Sequence, residues 1–199
     1  MTIENETAAR SRLVAATFAE ASRLHECMRD LDPAPILAAV DAIRAALTAG
    51  GKVLVFGNGG SASDAQHFTA ELVGRFGRKR QALAAIALTA DTSVVTAVSN
   101  DFGFEQLFAR QIEALGRRED AVLGISTSGC SPNVTHAFAT AAALGIKSIS
   151  LTGANGGPVA NAARISVIVP SDETPRIQEL HRTILHIICD LIEREIAPS

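Results

Sequence analysis

A chain of 199 residues with 47% apolar content is long enough for one domain with a substantial core, and no stretch is long and apolar enough to span a bilayer. A formal net charge of −3 and the absence of Trp and Tyr leave no electrostatic or base-stacking footprint for nucleic acid. The first residues, Met1 to Glu6, are acidic with no apolar run behind them, so no secretory signal is expected, and the widely spaced Cys27, Cys130 and Cys189 read as free thiols of a cytoplasmic protein.

Residues 7–31 follow a helical pattern, with Leu13, Phe18, Leu24 and Met28 among the apolar positions. Asp32-Pro33 opens a second helix that runs through Ile36, Leu37, Val40, Ile43 and Leu47 to a Gly50-Gly51 stop. From Lys52 the pattern changes. Short apolar runs at 53–56, 83–88, 121–126, 147–152 and 165–169 alternate with helix-like segments at 63–76, 104–116, 132–144 and 156–163. Strands alternating with helices predict an α/β fold, a parallel sheet with helices on both faces. The last segment, 176–196, is a long amphipathic helix marked by Ile177, Leu180, Ile184, Ile187, Ile188, Leu191 and Ile192. There is no internal repeat. One domain over residues 1–199 is expected, with N-terminal helices over 1–50 and the α/β core and C-terminal helix over 51–199. The helices at the two chain ends could cover the sheet or pack on a partner subunit.

Two loops carry anion-binding chemistry. In open parallel sheets ligands bind beyond the carboxyl ends of the strands. Gly57-Asn58-Gly59-Gly60-Ser61 follows the first strand and opens a helix, whose free N–H groups and dipole favour an anion. Ser126-Thr127-Ser128-Gly129-Cys130-Ser131 follows the third strand and precedes a helix starting near Pro132, offering four hydroxyls and no lysine. Capping and turn chemistry explain either loop alone; two such loops, each after a strand, point to a phosphate-type ligand. The glycines also satisfy a loose dinucleotide fingerprint, Gly57-x-Gly59-x-x-Ala62. The acidic residue that should follow the second strand is badly placed, at Asp91, and the serine loop has no role in that scheme.

Beside the first loop, His67 and Glu71 stand four apart on a helix. They can share a divalent metal, act as an acid–base couple, or form a surface pair. On the last helix, Gln178, His181 and His186 are the polar residues of interest. Gln178 and His186 are eight apart, about 12 Å along a straight helix. Either Gln178 lies in a loosened first turn after Pro175, or the two serve sites in different chains, which would place the site across a subunit interface. Arg75 and Arg78-Lys79-Arg80 read as a solvated basic loop, from which Arg75 could face an anionic substrate.

Gly57-Asn58-Gly59-Gly60-Ser61, Asp64-Ala65-Gln66-His67-Phe68, Asn100-Asp101-Phe102-Gly103-Phe104, Gly124-Ile125-Ser126-Thr127-Ser128-Gly129, Leu151-Thr152-Gly153 and Arg176-Ile177-Gln178-Glu179 together resemble the sugar isomerase (SIS) domain family. Within it they are similar to the bacterial members that act on a seven-carbon ketose phosphate. The resemblance covers nearly the whole chain in order. It implies a flavodoxin-like, five-stranded parallel sheet and a homotetramer with active sites at subunit interfaces. It also implies one zinc per subunit, held by His67, Glu71, Gln178 and His186. The implied phosphate ligands are Ser126, Thr127, Ser128 and Ser131. Asn58, Gly59, Gly60, Asn100 and Asp101, with Glu71 and Gln178, would contact the rest of the sugar. Two residues depart from the pattern: Cys130, where family loops often carry asparagine, and Pro175, which replaces an acidic residue of some members.

The implied activity is aldose–ketose isomerisation of sedoheptulose 7-phosphate to D-glycero-D-manno-heptose 7-phosphate through a cis-enediol, the first step of nucleotide-activated heptose synthesis for lipopolysaccharide or capsule. A base near the substrate carbon and an acid near the carbonyl oxygen are needed, and Glu71 and His186 are assigned those roles. The alternative is a non-catalytic tetramer of the same family that binds the replication initiator DnaA. That branch lacks the glutamate and the second histidine, and this chain has both Glu71 and His186.

Overall fold

The computed structural model describes residues 3–196 of the chain. It falls into two compact units, Met1–Asp32 and Pro33–Ser199. The expected domain bounds, 1 and 199, lie outside the described residues. The first unit is one helix, α1 (Ile3–Arg29), supported along its length by Arg10–Glu6 and Arg23–Glu20 pairs. Leu13, Val14 and Phe18 on this helix are exposed.

The second unit begins with α2 (Ala34–Thr48) and then alternates strands and helices. In chain order these are β1 (Val53–Gly57), α3 (Gly60–Val73), β2 (Ala85–Ala87), α4 (Thr92–Phe102), α5 (Leu107–Leu115), β3 (Ala121–Ser126), α6 (Pro132–Ala143), β4 (Lys147–Thr152), α7 (Gly157–Ala162), β5 (Ile165–Ile168) and α8 (Thr174–Ile196). All strand pairs are parallel, in the order β2-β1-β3-β4-β5, which is the flavodoxin-like arrangement. Every residue of β1 and β3 is buried. That is why both strands are unbroken apolar runs rather than alternating ones. Leu54, Phe56 and Val122 join Phe108, Ile112, Val134 and Phe138 in a core against α5, α6 and α7. On the other face, α8 packs on α2, α3 and β4. Its buried Ile177, Leu180, Ile184, Ile188 and Ile192 each contribute roughly 1.5–3 kcal/mol. The C-terminal helix therefore covers the sheet of its own chain.

Three expectations need correction. The second strand is three residues long rather than six; Leu83 and Leu88 are buried but lie outside the ladder. The segment expected to be helical over 104–116 enters through a single 3-10 turn, Phe104–Gln106, before α5. Helix α4 is absent from the predicted set. Four of its first five residues, Thr92, Val94, Val95 and Thr96, are β-branched and poor helix formers. The Asp91 side chain offsets this by accepting from Ser93 N and Val94 N at 2.9 and 3.1 Å.

Candidate active site

The glycine loop leaves β1 and the serine loop leaves β3, so both open at the carboxyl ends of adjacent strands. A reciprocal amide pair joins them. Asn58 Nδ2 donates to Asn133 Oδ1 and Asn133 Nδ2 to Asn58 Oδ1, each at 2.9 Å. Asn133 lies in the first turn of α6 and is buried. The Asn58 amide is therefore committed to loop geometry, and Gly59 and Gly60 are the exposed parts of that loop. A Cβ on Gly60 would lie 2.3 Å from Gln178 Nε2, so only glycine admits Gln178 at the start of α3.

In the second loop, Ser126 Oγ and Ser131 Oγ hydrogen-bond at 2.8 Å. Ser131 is the N-cap residue of α6, yet its side chain makes no capping bond. The simple capping explanation for this hydroxyl does not hold. Gly129 has φ 66°, and a Cβ there would meet Gly156 O at 2.3 Å. Ser128 and Cys130 are exposed at the rim, and Thr127 is half-buried.

The imidazoles come together along two parallel helices. Arg182 reaches the buried Asp64, His186 meets His67, and Glu193 meets Phe76 N, each pair separated by 117 to 119 positions. α8 therefore runs alongside α3 in the same direction and in step with it. His67 Nε2 and His186 Nε2 are 2.8 Å apart, and Glu71 Oε1 is 3.5 Å from His67 Nε2. The Phe76 ring covers His186 at 5.3 Å. Burial lowers the pKa of His186, and the neighbouring His67 and Arg182 lower it further, while Glu71 and Asp64 oppose.

Three of the four expected metal donors, His67, Glu71 and His186, converge within one chain. Gln178 sits two turns earlier, against Gly60, in regular helix rather than a loosened first turn. The donor types, imidazole and carboxylate oxygen, suit zinc. Two nitrogens on one tetrahedral zinc stand about 3.3 Å apart, so the imidazole pair would have to open by about half an ångström. Among the described residues, no group of three or more His, Cys, Asp or Glu is placed to hold a metal ion as it stands.

Asn100 and Asp101 lie in the last turn of α4, exposed, and hydrogen-bond to each other at 2.8 Å. Among the described residues no hydrogen bond ties them to either loop. Arg75 is exposed, but Arg80 is not part of a solvated loop: its side chain is 1% exposed. His181 is fully buried, which lowers its pKa to about 4 against the opposing influence of the Thr152 backbone and Asp64. A cavity of about 380 Å³ lined by Gly50, Lys52, Ala84, Gly116, Arg117 and Asp120 lies at the amino ends of the strands. It offers no comparable chemistry, because Lys52 and Asp120 are paired there at 2.6 Å.

Comparison with known proteins identifies relatives of the same family and fold. The family model described as SIS domain matches residues 18–153. The chain is similar to the phosphoheptose isomerase of Citrifermentans bemidjiense, 56% identical over 167 residues covering 84% of this chain and 86% of that one. Among solved structures it is similar to the phosphoheptose isomerase of Neisseria gonorrhoeae, with TM-score 0.87 and 42% identity over 92% of this chain and 98% of the other. It is also similar to the phosphoheptose isomerase of Francisella tularensis, with TM-score 0.88 and 40% identity over 98% and 100% of the two chains.

Proposed function

The chain belongs to the SIS domain family, among the phosphoheptose isomerases, and from that premise we propose that it converts sedoheptulose 7-phosphate to D-glycero-D-manno-heptose 7-phosphate, the first step of nucleotide-activated heptose synthesis. The observation that carries this reading is the meeting of Glu71 with two imidazoles on α3 and α8, beside two anion-type loops. Nothing in the fold or the relatives favours a DnaA-binding role.

The phosphate seats in the serine loop, on Ser126, Thr127, Ser128 and Ser131 and the N-terminus of α6. Gly59 and Gly60 bring backbone N–H groups to the sugar, with Gln178 beside them. Asn100 and Asp101 contact the sugar only if loop motion or a neighbouring subunit brings them to the cleft. The open-chain ketose then lies with C1 and C2 between Glu71 and His186. Glu71 removes the C1 proton, and the cis-enediol forms as the electrons move to the carbonyl oxygen. His186 delivers a proton to that oxygen. Return of a proton to C2 and loss of the C1 hydroxyl proton give the aldose. The same imidazole can assist ring opening. Zinc would be held by His67, Glu71, Gln178 and His186, and when bound it supplies electrophilic polarisation of the substrate oxygens. A carboxylate on a metal is a weaker base, so Glu71 must be free of the metal when it takes the proton.

The exposed Leu13, Val14 and Phe18 of α1 support a homotetramer with active sites shared between subunits. Residues 1–199 are taken as one such domain. A cytoplasmic location suits a sugar-phosphate substrate, and no helix of the described residues is long and apolar enough to cross a membrane. No nucleic-acid partner is proposed.

The test is product analysis after incubation with sedoheptulose 7-phosphate, with Glu71→Gln and His186→Gln in parallel. Wild-type protein should yield the aldose, and each variant should lose on the order of a thousand-fold or more in kcat while remaining folded. Near-normal turnover by either folded variant would remove the role assigned to that residue.

A further inference from the structure

Glu193 lies seven residues past His186 on α8, on the same side of the helix, with a side chain only 1% exposed. Buried carboxylates are rare and need partners. Glu193 has four. Its oxygens accept from the backbone N–H groups of Phe76, Gly77 and Arg78 at 2.8, 2.9 and 2.8 Å. The Arg80 guanidinium, also 1% exposed, lies 2.9 Å away. Arg80 in turn donates to the carbonyls of Leu72, Gly74 and Gln81, and at 2.6 Å to that of Glu71. Three of those carbonyls belong to the last turn and end of α3, which no helical N–H can reach.

Each end of this buried pair leads to the proposed chemistry. Arg80 fastens the backbone of Glu71 itself. Glu193 shapes the turn after α3, and that turn places the Phe76 ring 5.3 Å from the His186 ring. A plain stabilising pair would not need to touch the base on one side and back the acid on the other.

We infer that Glu193 and Arg80 are positioning residues for the proton transfer, holding Glu71 by its own carbonyl and His186 through Phe76. The inference rests on the isomerase reading above. Neither residue meets the substrate. Their effect is on the alignment of two groups that do, and misalignment of about 1 Å can cost a hundred-fold in rate.

The experiment uses the full-length protein at a temperature where circular dichroism shows it folded. Glu193→Gln keeps the size of the side chain and weakens its hold on three N–H groups and Arg80. It should lower kcat on the order of ten-fold or more, with KM for the ketose phosphate within about two-fold. Phe76→Leu leaves the ion pair intact and removes only the ring against His186; a several-fold loss of kcat with unchanged KM is expected. In protein labelled with carbon-13 at histidine, both variants should move the His186 ring resonance. A folded Glu193→Gln protein with wild-type kcat and an unmoved His186 resonance overturns the inference. If Glu193→Gln does not fold, Phe76→Leu decides alone, and wild-type kcat there overturns it. Glu71→Gln separates the two levels. If that variant turns over normally, the isomerase reading fails; if it is dead while Glu193→Gln is fully active, only the positioning role fails.

Discussion

His181 and Cys189 are titratable residues on the buried side of α8, and each predicts a measurable behaviour. His181 has its pKa lowered to about 4 by burial, from an ordinary value near 6.5. Below pH 6.5 the unfolded chain takes up a proton there and the folded chain does not. Its stability is therefore intact above about pH 6.5 and falls as the pH drops toward 4, by up to about 3 kcal/mol. Glu193 acts in the same direction at lower pH. Burial alone would push its carboxyl up, but three backbone N–H donors and Arg80 hold it below the usual carboxylate range. Urea denaturation followed from pH 7 to pH 4 should show this loss, and His181→Gln should flatten the upper part of the curve. Cys189 is buried, and its thiol is pushed up to about 12, chiefly by burial and then by Glu71 and Glu193. A thiol reagent should leave it unmodified in the native protein and react with it only on unfolding. Cys130, exposed in the serine loop, should react and be protected by substrate. Rapid labelling of Cys189 in the folded state, or labelling of Cys130 indifferent to substrate, would contradict the structure and the phosphate assignment respectively.

Among the elements, the parallel run of α3 beside α8 decides where the chemistry sits. Because the two helices keep step, one residue inserted between Thr183 and His186 would swing His186 by about 100° off the His67 side. Activity should vanish while the first two turns of α8, with Gln178 and Arg182, keep their contacts; retained turnover in that variant would show that the register is not what assembles the pair. The loop tie is a second element-level prediction. Asn133→Ala leaves the Asn58 amide without its partner and should cost about 1–3 kcal/mol in denaturation, with a raised KM from loosened loops. Much of this scale could be read from the chain itself. Continuous runs such as Val53–Phe56 and Ala121–Ser126 announce central strands because both faces are covered. The i,i+4 spacing of His67 and Glu71 shows that they share a face. Spacing alone does not give the partner of that face; the family resemblance supplied His186, because it joins the pair only through the packing of α8 on α3. The anchor at Glu193 was hidden for a different reason. Its partners are backbone N–H groups, which leave no mark in a sequence, and a carboxylate ending an apolar run looks like a solvated flank. Helix α4 was missed because local propensity opposed it and a single cap at Asp91 settled the matter.

For the whole molecule, α1 bears on assembly. Leu13 and Phe18 are 69% and 72% exposed in the single chain, which is costly for such side chains unless another copy covers them. On the proposed homotetramer, replacing both with Glu should reduce the particle mass measured by light scattering. An unchanged mass would show that α1 does not hold the subunits together. The orientation of the helices has a separate outcome for the substrate's approach. α3, α6 and α8 all start at the carboxyl edge of the sheet, so their partial positive ends gather where a doubly charged phosphate arrives. That pull fades within a few ångströms, and the protein as a whole is negative. Capture should thus owe little to long-range steering: kcat/KM ought to stay nearly flat between about 0.05 and 0.5 M salt, where a lysine-lined anion trap would weaken steeply.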